Sequence, residues 1–187
     1  MEELELYPTR IYFENVLNDE YNSLLLRTTS ELVKTSGKIN DVSVRNGWQS
    51  DKNIYSLESF HPLCDYVLNK TKQLLLKDKN IKPYITSMWL NVHGEHGFNH
   101  VHVHSGAWYS GVYYIQCSEK SGNITFLDPR PGAEMSFYHK SIEPNNRIII
   151  PKAGDLILFP AWLPHLVEPN MDKKNRISVA FNIELNI

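Results

Sequence analysis

The second half of the chain, from about residue 84 onward, is a succession of short apolar segments separated by turn-forming residues. The segments are rich in β-branched and aromatic residues, which favour strands, while Gly, Pro, Asn and Asp between them favour turns. The predicted strands are 84–92, 108–117, 123–127, 147–150, 155–159, 166–168 and 175–185. Strands so short and so closely spaced pair with antiparallel neighbours, which predicts an antiparallel barrel or sandwich.

The first eighty residues show helical periodicity instead. Apolar residues recur every three or four positions in 15–34 and in 57–76, which predicts two amphipathic helices. A short extended segment, 6–13, precedes them, and the polar stretch 38–55 is predicted to be a loop with one short strand pairing at most. Helices followed by strands indicate a mainly β fold in which two N-terminal helices pack on one sheet.

No repeat or Gly/Ser-rich linker divides the 187 residues, so we expect one domain, with a mostly helical flank (1–80) and a β core (84–187). The net charge of −2 does not imply a nucleic-acid partner. The acidic start of the chain does not resemble a signal peptide, and no apolar run is long enough to span a bilayer. We therefore expect a cytoplasmic protein without a membrane partner. Cys64 and Cys117 lack a C-x-x-C spacing and are predicted to be reduced packing residues.

Three of the eight histidines lie within five residues, at His100, His102 and His104. In an extended segment these alternate residues project from one face, and an H-x-H pair can bring two imidazoles to one metal ion. His165 lies just past the end of the predicted strand 155–159, after the segment 160–164, and can supply a third ligand. The pattern indicates a metal site, although a surface strand that happens to carry histidines is the alternative.

The last predicted strand alternates cleanly between apolar and smaller or polar residues. One face carries Ile177, Val179, Phe181 and Ile183, and the other carries Arg176, Ser178, Ala180 and Asn182. The apolar face should pack on the helices, so Arg176 and Ser178 should face the concave side of the barrel. An inward-facing guanidinium needs an anion, and none lies on this strand face. We expect either a ligand carboxylate or an ion pair with a distant Asp or Glu.

The order H-x-H, distal His and then Arg-x-Ser resembles the signature of the 2-oxoglutarate and Fe(II)-dependent oxygenases. That superfamily has the double-stranded β-helix fold, a jelly-roll, cupin-like barrel. More narrowly, the chain resembles the small 2OG-Fe(II) oxygenases of bacteria and phages. The segments that carry this resemblance are 7–9, 47–50, 99–114, 122–130, 159–165 and 169–170.

The resemblance implies a dioxygenase that hydroxylates an unidentified substrate and releases succinate and CO2. His102, His104 and His165 would bind Fe(II), leaving coordination positions for 2-oxoglutarate and O2. No catalytic residue beyond the metal centre is implied. Most of the superfamily has Asp or Glu at the position of His104. A second register, in which His100 and His102 are the ligands and His104 is not, is therefore kept open.

The resemblance also assigns residues to the co-substrate. Arg176 would pair with the distal carboxylate of 2-oxoglutarate, and Ser178 would add a hydrogen bond. Asn91 and Tyr113 are further candidates for the same co-substrate. The other histidines, His61, His93, His96 and His139, are expected in loops or on the surface.

Two other functions compete with this one. A cupin-like three-His metalloenzyme would not use 2-oxoglutarate, but cupins usually have a Glu shortly after H-x-H, whereas 107–109 is Ala-Trp-Tyr here. A non-catalytic binding barrel is the third interpretation. Trp108, Arg130 and Trp162 are candidates to line a substrate mouth, and the pattern does not distinguish a small molecule from a side-chain substrate or predict an oligomeric state.

Overall fold

The computed structural model describes residues 1–36, 43–77, 80–130, 132 and 146–186. His139 lies outside the described residues. The strands in chain order are β1 (Tyr12–Asn15), β2 (Val44–Gln49), β3 (Lys82–His102), β4 (Tyr109–Gln116), β5 (Ile124–Leu127), β6 (Asn146–Ile149), β7 (Asp155–Pro160), β8 (His165–Val167) and β9 (Arg176–Asn186). The helices are α1 (Asp19–Thr35), between β1 and β2, and α2 (His61–Thr71), between β2 and β3.

The two predicted helices are present. α1 begins at Asn18, whose side-chain oxygen accepts a hydrogen bond from the backbone N–H of Tyr21 at 2.8 Å, and Asp19 and Glu20 favour the positive end of its dipole. α2 is preceded by two 3₁₀ turns and is extended by a π-helical turn, Lys72–Leu76. No helix in the described part of the chain is both long enough and apolar enough to cross a bilayer.

All seven predicted strands occur, and they join β1 and β2 in one curled antiparallel sheet. The strand order is β1-β7-β4-β9-β3-β8-β5-β6, with β2 paired to β3. This is the predicted double-stranded β-helix architecture with two helices on one side. β3 is more than twice as long as its predicted core: it pairs with β9 from Lys82 to His93, with β2 from Asn91 to Asn99, and with β8 from Asn99 to His102. This length carries β3 from the helical side of the sheet to the histidine cluster.

The two faces of β9 divide the interior as the alternation predicts. Ile177, Val179, Phe181 and Ile183 join the core formed with helical residues such as Leu25, Phe60, Leu63 and Val67. A second apolar cluster inside the barrel includes Val112, Ile124, Phe159 and Leu163. Arg176, Ser178 and Ala180 instead line a cavity between the strands. One face of β9 therefore packs against the helices, and the other face forms part of the cavity wall.

Candidate metal centre

Three histidines converge at one end of this cavity. His102 is the last residue of β3, His104 follows it by two residues, and His165 begins β8 directly opposite His102. Their ring centroids are 4.3 Å apart for His102 and His165, 5.1 Å for His104 and His165, and 5.3 Å for His102 and His104. One nitrogen from each ring lies within 4.8 Å of the others, so one ion could be bound by all three.

Each of these imidazoles is oriented through its Nδ1 atom. Nδ1 of His102 lies 2.7 Å from the carbonyl oxygen of His100, and Nδ1 of His165 lies 2.9 Å from that of Leu163. A carbonyl oxygen only accepts hydrogen bonds, so both Nδ1 atoms must donate. The lone pair of each ring is then on Nε2, which is the tautomer that a metal ligand needs.

His104 is oriented by a side chain rather than by the backbone. Its Nδ1 lies 2.6 Å from Oδ1 of Asn182, which also accepts a hydrogen bond from the Ser110 hydroxyl at 2.8 Å. The Asn182 amide nitrogen donates to Ser87 at 3.0 Å, which fixes the direction of the amide. Asn182 therefore holds His104 in the same tautomer as the other two histidines. The alternation of β9 predicts the face of Asn182 but not its contact with His104.

His165 is ready to bind a metal without losing a proton at neutral pH. It is almost fully buried, and this burial, together with His102, lowers its pKa to about 3. The imidazole is therefore neutral, which is the form that binds metal ions.

The structure brings together His102 and His104 rather than His100 and His102. A β-bulge between Asn99 and His102 breaks the strict alternation, so His100 does not share the face of the other two histidines. His100 is exposed and its ring packs edge-on against Phe98. The expectation that all three rings of the H-x-H-x-H run face one side is therefore wrong.

Arg176 lies in the same cavity and is only 1% exposed. One guanidinium nitrogen donates to the carbonyl oxygens of Ser121 and Glu168, and the other terminal nitrogen donates to that of Gly97 at 3.4 Å. In the described part of the chain Arg176 forms no ion pair with a carboxylate. The alternative of a distant Asp or Glu partner is thus not seen there, and the guanidinium remains a buried cation facing the cavity.

A glycine allows the backbone to surround Arg176. Gly122 has a φ of +79°, and a Cβ at this position would lie 2.5 Å from the carbonyl oxygen of Glu168. Only glycine adopts this conformation without strain and permits so close an approach. The predicted Ser121-Gly122 turn thereby brings two carbonyl groups to the guanidinium.

The other candidates for the co-substrate separate into two groups. Asn91 and Ser178 line the cavity, and Asn91 accepts a hydrogen bond from Gln49 at 2.9 Å. Tyr113 does not: its hydroxyl donates to Asn22 of α1 at 2.6 Å, on the opposite side of the sheet. The prediction for Tyr113 is wrong because adjacent strand residues face opposite ways, and Tyr114 lines the cavity instead.

The three candidates for a substrate mouth do not share one surface. Trp108 and Trp162 line a groove of about 420 Å³ with Arg10, and the carbonyl oxygen of Ala161, the residue before Trp162, accepts a hydrogen bond from the backbone N–H of His104. Arg130 lies in a separate groove of about 840 Å³ and forms a two-point ion pair with Asp128. Neither groove contains a histidine of the cluster.

His93 is the functional candidate that the sequence interpretation missed. His61 and His96 are exposed as expected, but His93 is only 1% exposed and lines the histidine cavity. Among the described residues neither of its ring nitrogens has a hydrogen-bond partner. A single histidine carries no spacing signal, so only the pairing of β3 with β9 could have identified it.

The role of Asn182 is testable through metal affinity. Asn182→Leu removes the acceptor that orients His104, and the loss of such a partner typically weakens metal binding by about 10- to 100-fold. The measurement is competition of the purified protein with a chelator for Ni(II). Ser110→Ala is the matched control, because it removes the other hydrogen bond to the same oxygen and should change the affinity much less. Unchanged affinity in Asn182→Leu would refute this role.

The fold has solved relatives of low sequence identity. HygX from Streptomyces hygroscopicus, solved with nickel, 2-oxoglutarate and hygromycin B, is 12% identical with a TM-score of 0.68, covering 94% of this chain and 82% of its own. A prolyl-4-hydroxylase from Pseudomonas putida is 14% identical with a TM-score of 0.64, covering 93% and 92%. The α-ketoglutarate-dependent epimerase SnoN from nogalamycin biosynthesis is 11% identical with a TM-score of 0.71, covering 94% and 78%. At these identities the likeness shows the fold alone.

The family is shown by the sequence. No curated protein sequence matches the chain. Residues 87–182, just over half of the chain, match the protein family described as "Putative 2OG-Fe(II) oxygenase". The matched region contains the three clustered histidines and Arg176. The chain therefore belongs to the 2OG-Fe(II) oxygenase family, which depends on Fe(II), 2-oxoglutarate and O2.

Proposed function

We propose that the protein is a hydroxylase that couples oxidation of its substrate to conversion of 2-oxoglutarate into succinate and CO2, with Fe(II) bound by His102, His104 and His165. The observation that carries this proposal is the convergence of three oriented imidazoles, within 4.8 Å of one another, in a cavity whose wall also contains the buried Arg176. Three protein ligands leave the remaining coordination positions to a 2-oxo acid and O2.

The residues present fit Fe(II). Imidazole nitrogen is a suitable ligand for iron, and all three rings are oriented through Nδ1 by hydrogen-bond acceptors. None of the described residues that line the cavity is Asp or Glu. The described lining of the cavity therefore adds no carboxylate beside the metal and Arg176, so the two carboxylates of 2-oxoglutarate would supply the balancing negative charge.

When bound, Fe(II) and 2-oxoglutarate together activate O2 and supply the oxidising chemistry. The residues of the chain bind and orient the reactants and exclude water. Arg176 would hold the distal carboxylate, and Ser178 and Asn91 would add hydrogen bonds along the same wall. Val112, Ile124 and Phe159 also line the cavity and make part of its wall apolar, which strengthens polar contacts within it.

Because none of the three proposed metal ligands is a carboxylate, we can predict the effect of introducing one at His104. His104→Asp places a carboxylate where most of the superfamily has one, so we expect the variant to retain the metal and to keep or increase succinate formation. The measurement is metal content after gel filtration together with succinate release. His104→Leu is the control and should lose affinity. Loss of metal from His104→Asp would show instead that the site requires an imidazole at this position.

The test of the proposed function is Fe(II)-dependent release of succinate from 2-oxoglutarate during a screen of small molecules and peptides. A hit whose product is heavier by one oxygen atom supports hydroxylation. A hit with unchanged mass would replace hydroxylation by an isomerisation of the kind that SnoN's description as an epimerase implies for that protein. Substrate oxidation without succinate would favour a cupin-like enzyme, and metal binding without any turnover would favour a non-catalytic barrel.

The groove shared by Trp108 and Trp162 is the surface that we propose for the substrate, because the carbonyl oxygen of Ala161, the residue before Trp162, accepts a hydrogen bond from the backbone N–H of His104. Arg130 is less suited to this role, since Asp128 already neutralises its charge.

A further inference from the structure

We propose that His93 is a second hydrogen-bond donor for the distal carboxylate of 2-oxoglutarate, beside Arg176. This inference rests on the proposed function and extends it to a residue that the Arg-x-Ser pattern does not include.

The imidazole of His93 is a polar group enclosed inside the protein. His93 is 1% exposed, and in the part of the chain that the structure describes neither ring nitrogen has a partner within hydrogen-bond geometry; the Asn99 side chain lies close enough to act on the pKa of His93 but does not meet that geometry. A buried polar group without a partner is costly, and such groups occur most often where a ligand or an ordered water completes them. The ring lines the histidine cavity, so a ligand in that cavity can reach it.

The pairing of β3 with β9 places His93 beside Arg176. His93 on β3 lies directly opposite Arg176 on β9, and Asn91 lies opposite Ser178 in the next row. All four residues line the cavity. His93 and Arg176 thus form one row across two strands, next to the row already assigned to the co-substrate.

The same cavity contains the histidine cluster and the row formed by His93 and Arg176. Asn182 contacts His104, and Arg176 lies six residues before it, at the start of β9. The row of His93 and Arg176 is therefore separated along β9 from the residue that orients a metal ligand, with Ser178 and Ala180 on the cavity wall between them. A 2-oxo acid that binds the metal through its oxo end would extend its distal carboxylate towards this row.

The charges of His93 and Arg176 together suit a carboxylate ligand. Burial and the neighbouring Arg176 lower the pKa of His93 to about 3, while the Asn99 amide acts in the opposite direction. The ring is neutral at neutral pH and has one N–H donor. One guanidinium cation and one neutral donor match the single charge and two oxygens of a carboxylate.

The packing around the ring also indicates a site built for an imidazole. Gly47 on β2 lies opposite His93, and a Cβ added to Gly47 would lie 3.2 Å from Cδ2 of the ring and 3.0 Å from the carbonyl oxygen of Val92. A larger residue at position 47 would press on the imidazole. The Gly47-Trp48-Gln49-Ser50 motif therefore places a glycine against His93 and Gln49 against Asn91.

The experiment compares two 2-oxo acids on the full-length Fe(II) protein without O2, following the metal-to-ligand charge-transfer absorption. 2-Oxoglutarate has the distal carboxylate, and pyruvate lacks it. His93→Phe keeps a buried aromatic ring but removes both nitrogens, and His93→Gln keeps a donor. We expect His93→Phe to raise the Kd of 2-oxoglutarate by about 10-fold or more, to leave that of pyruvate within about 2-fold, and His93→Gln to recover part of the loss.

An unchanged Kd of 2-oxoglutarate in His93→Phe would overturn the inference, as would an equal loss for both 2-oxo acids, which indicates a purely structural role. Chelator competition and thermal unfolding of the same variants report metal affinity and folding, and His93→Leu replaces His93→Phe if the latter does not fold. If the wild type binds neither 2-oxo acid, the proposed function itself fails, and that result is distinct from a selective effect of His93.

Discussion

Replacing His102 or His165 with Ala should weaken Fe(II) affinity by roughly 100-fold or more, because each change removes one of three protein ligands from a site that is already open. The remaining two imidazoles cannot compensate, since none of the described cavity-lining residues is Asp or Glu. The measurement is an anaerobic competition titration with a chelator.

His100→Ala is the matched control for this prediction. Its side chain is exposed and lies outside the cavity, while its carbonyl group, which orients His102, is retained in the variant. We expect its affinity to stay close to that of the wild type. Full affinity in both His102→Ala and His165→Ala would refute the assignment, and loss of affinity in His100→Ala would restore the alternative register.

Replacing Arg176 should have the largest effect on the co-substrate. Truncating one partner of a buried charge pair costs about 2–5 kcal/mol, so Arg176→Ala should weaken 2-oxoglutarate binding by roughly 30-fold or more. Arg176→Lys keeps the charge but loses the planar fork, so its affinity should also fall. Metal affinity should stay unchanged in both variants. An Arg176→Ala protein that binds 2-oxoglutarate normally would remove Arg176 from the site.

The Arg176 variants must also be tested for stability. From the sequence alone, the apolar face of β9 suggests that folding tolerates the loss of Arg176. The structure indicates otherwise, because the guanidinium donates to the carbonyl oxygens of Ser121 and Glu168, whereas its third acceptor, the carbonyl oxygen of Gly97, also accepts a hydrogen bond from the backbone N–H of Asn170 at 3.0 Å. Each buried acceptor left without a donor costs about 1–3 kcal/mol, so Arg176→Ala should lower the free energy of unfolding measurably in urea. Pyruvate binding then separates a loss of folding from a loss of carboxylate recognition.

Features that depend on local periodicity could be predicted from the sequence. The alternation in β9 correctly separates Ile177 and Val179, which pack on the helices, from Arg176 and Ser178, which line the cavity. The two helices follow from apolar residues that recur every three or four positions. These patterns are visible because each arises from residues that are close in sequence.

Features that depend on strand register could not be predicted. Tyr113 and Tyr114 are both buried, so burial alone does not show which of them faces the cavity. The pairing of β4 with β7 and β9 decides that Tyr114 faces it. The bulge before His102 is likewise a property of the pairing between β3 and β8. His93 acquires its neighbour Arg176 from a strand more than eighty residues later in the chain, so no local spacing identifies it.

The most direct test of the central claim is titration of the anaerobic Fe(II) protein with 2-oxoglutarate, following the metal-to-ligand charge-transfer absorption that appears when a 2-oxo acid chelates Fe(II). The proposed site predicts a saturable band in the wild type, no band in His102→Ala, and a band that requires higher co-substrate concentrations in Arg176→Ala. The absence of any band in the wild type at millimolar 2-oxoglutarate would contradict the account and favour a cupin-like metal site.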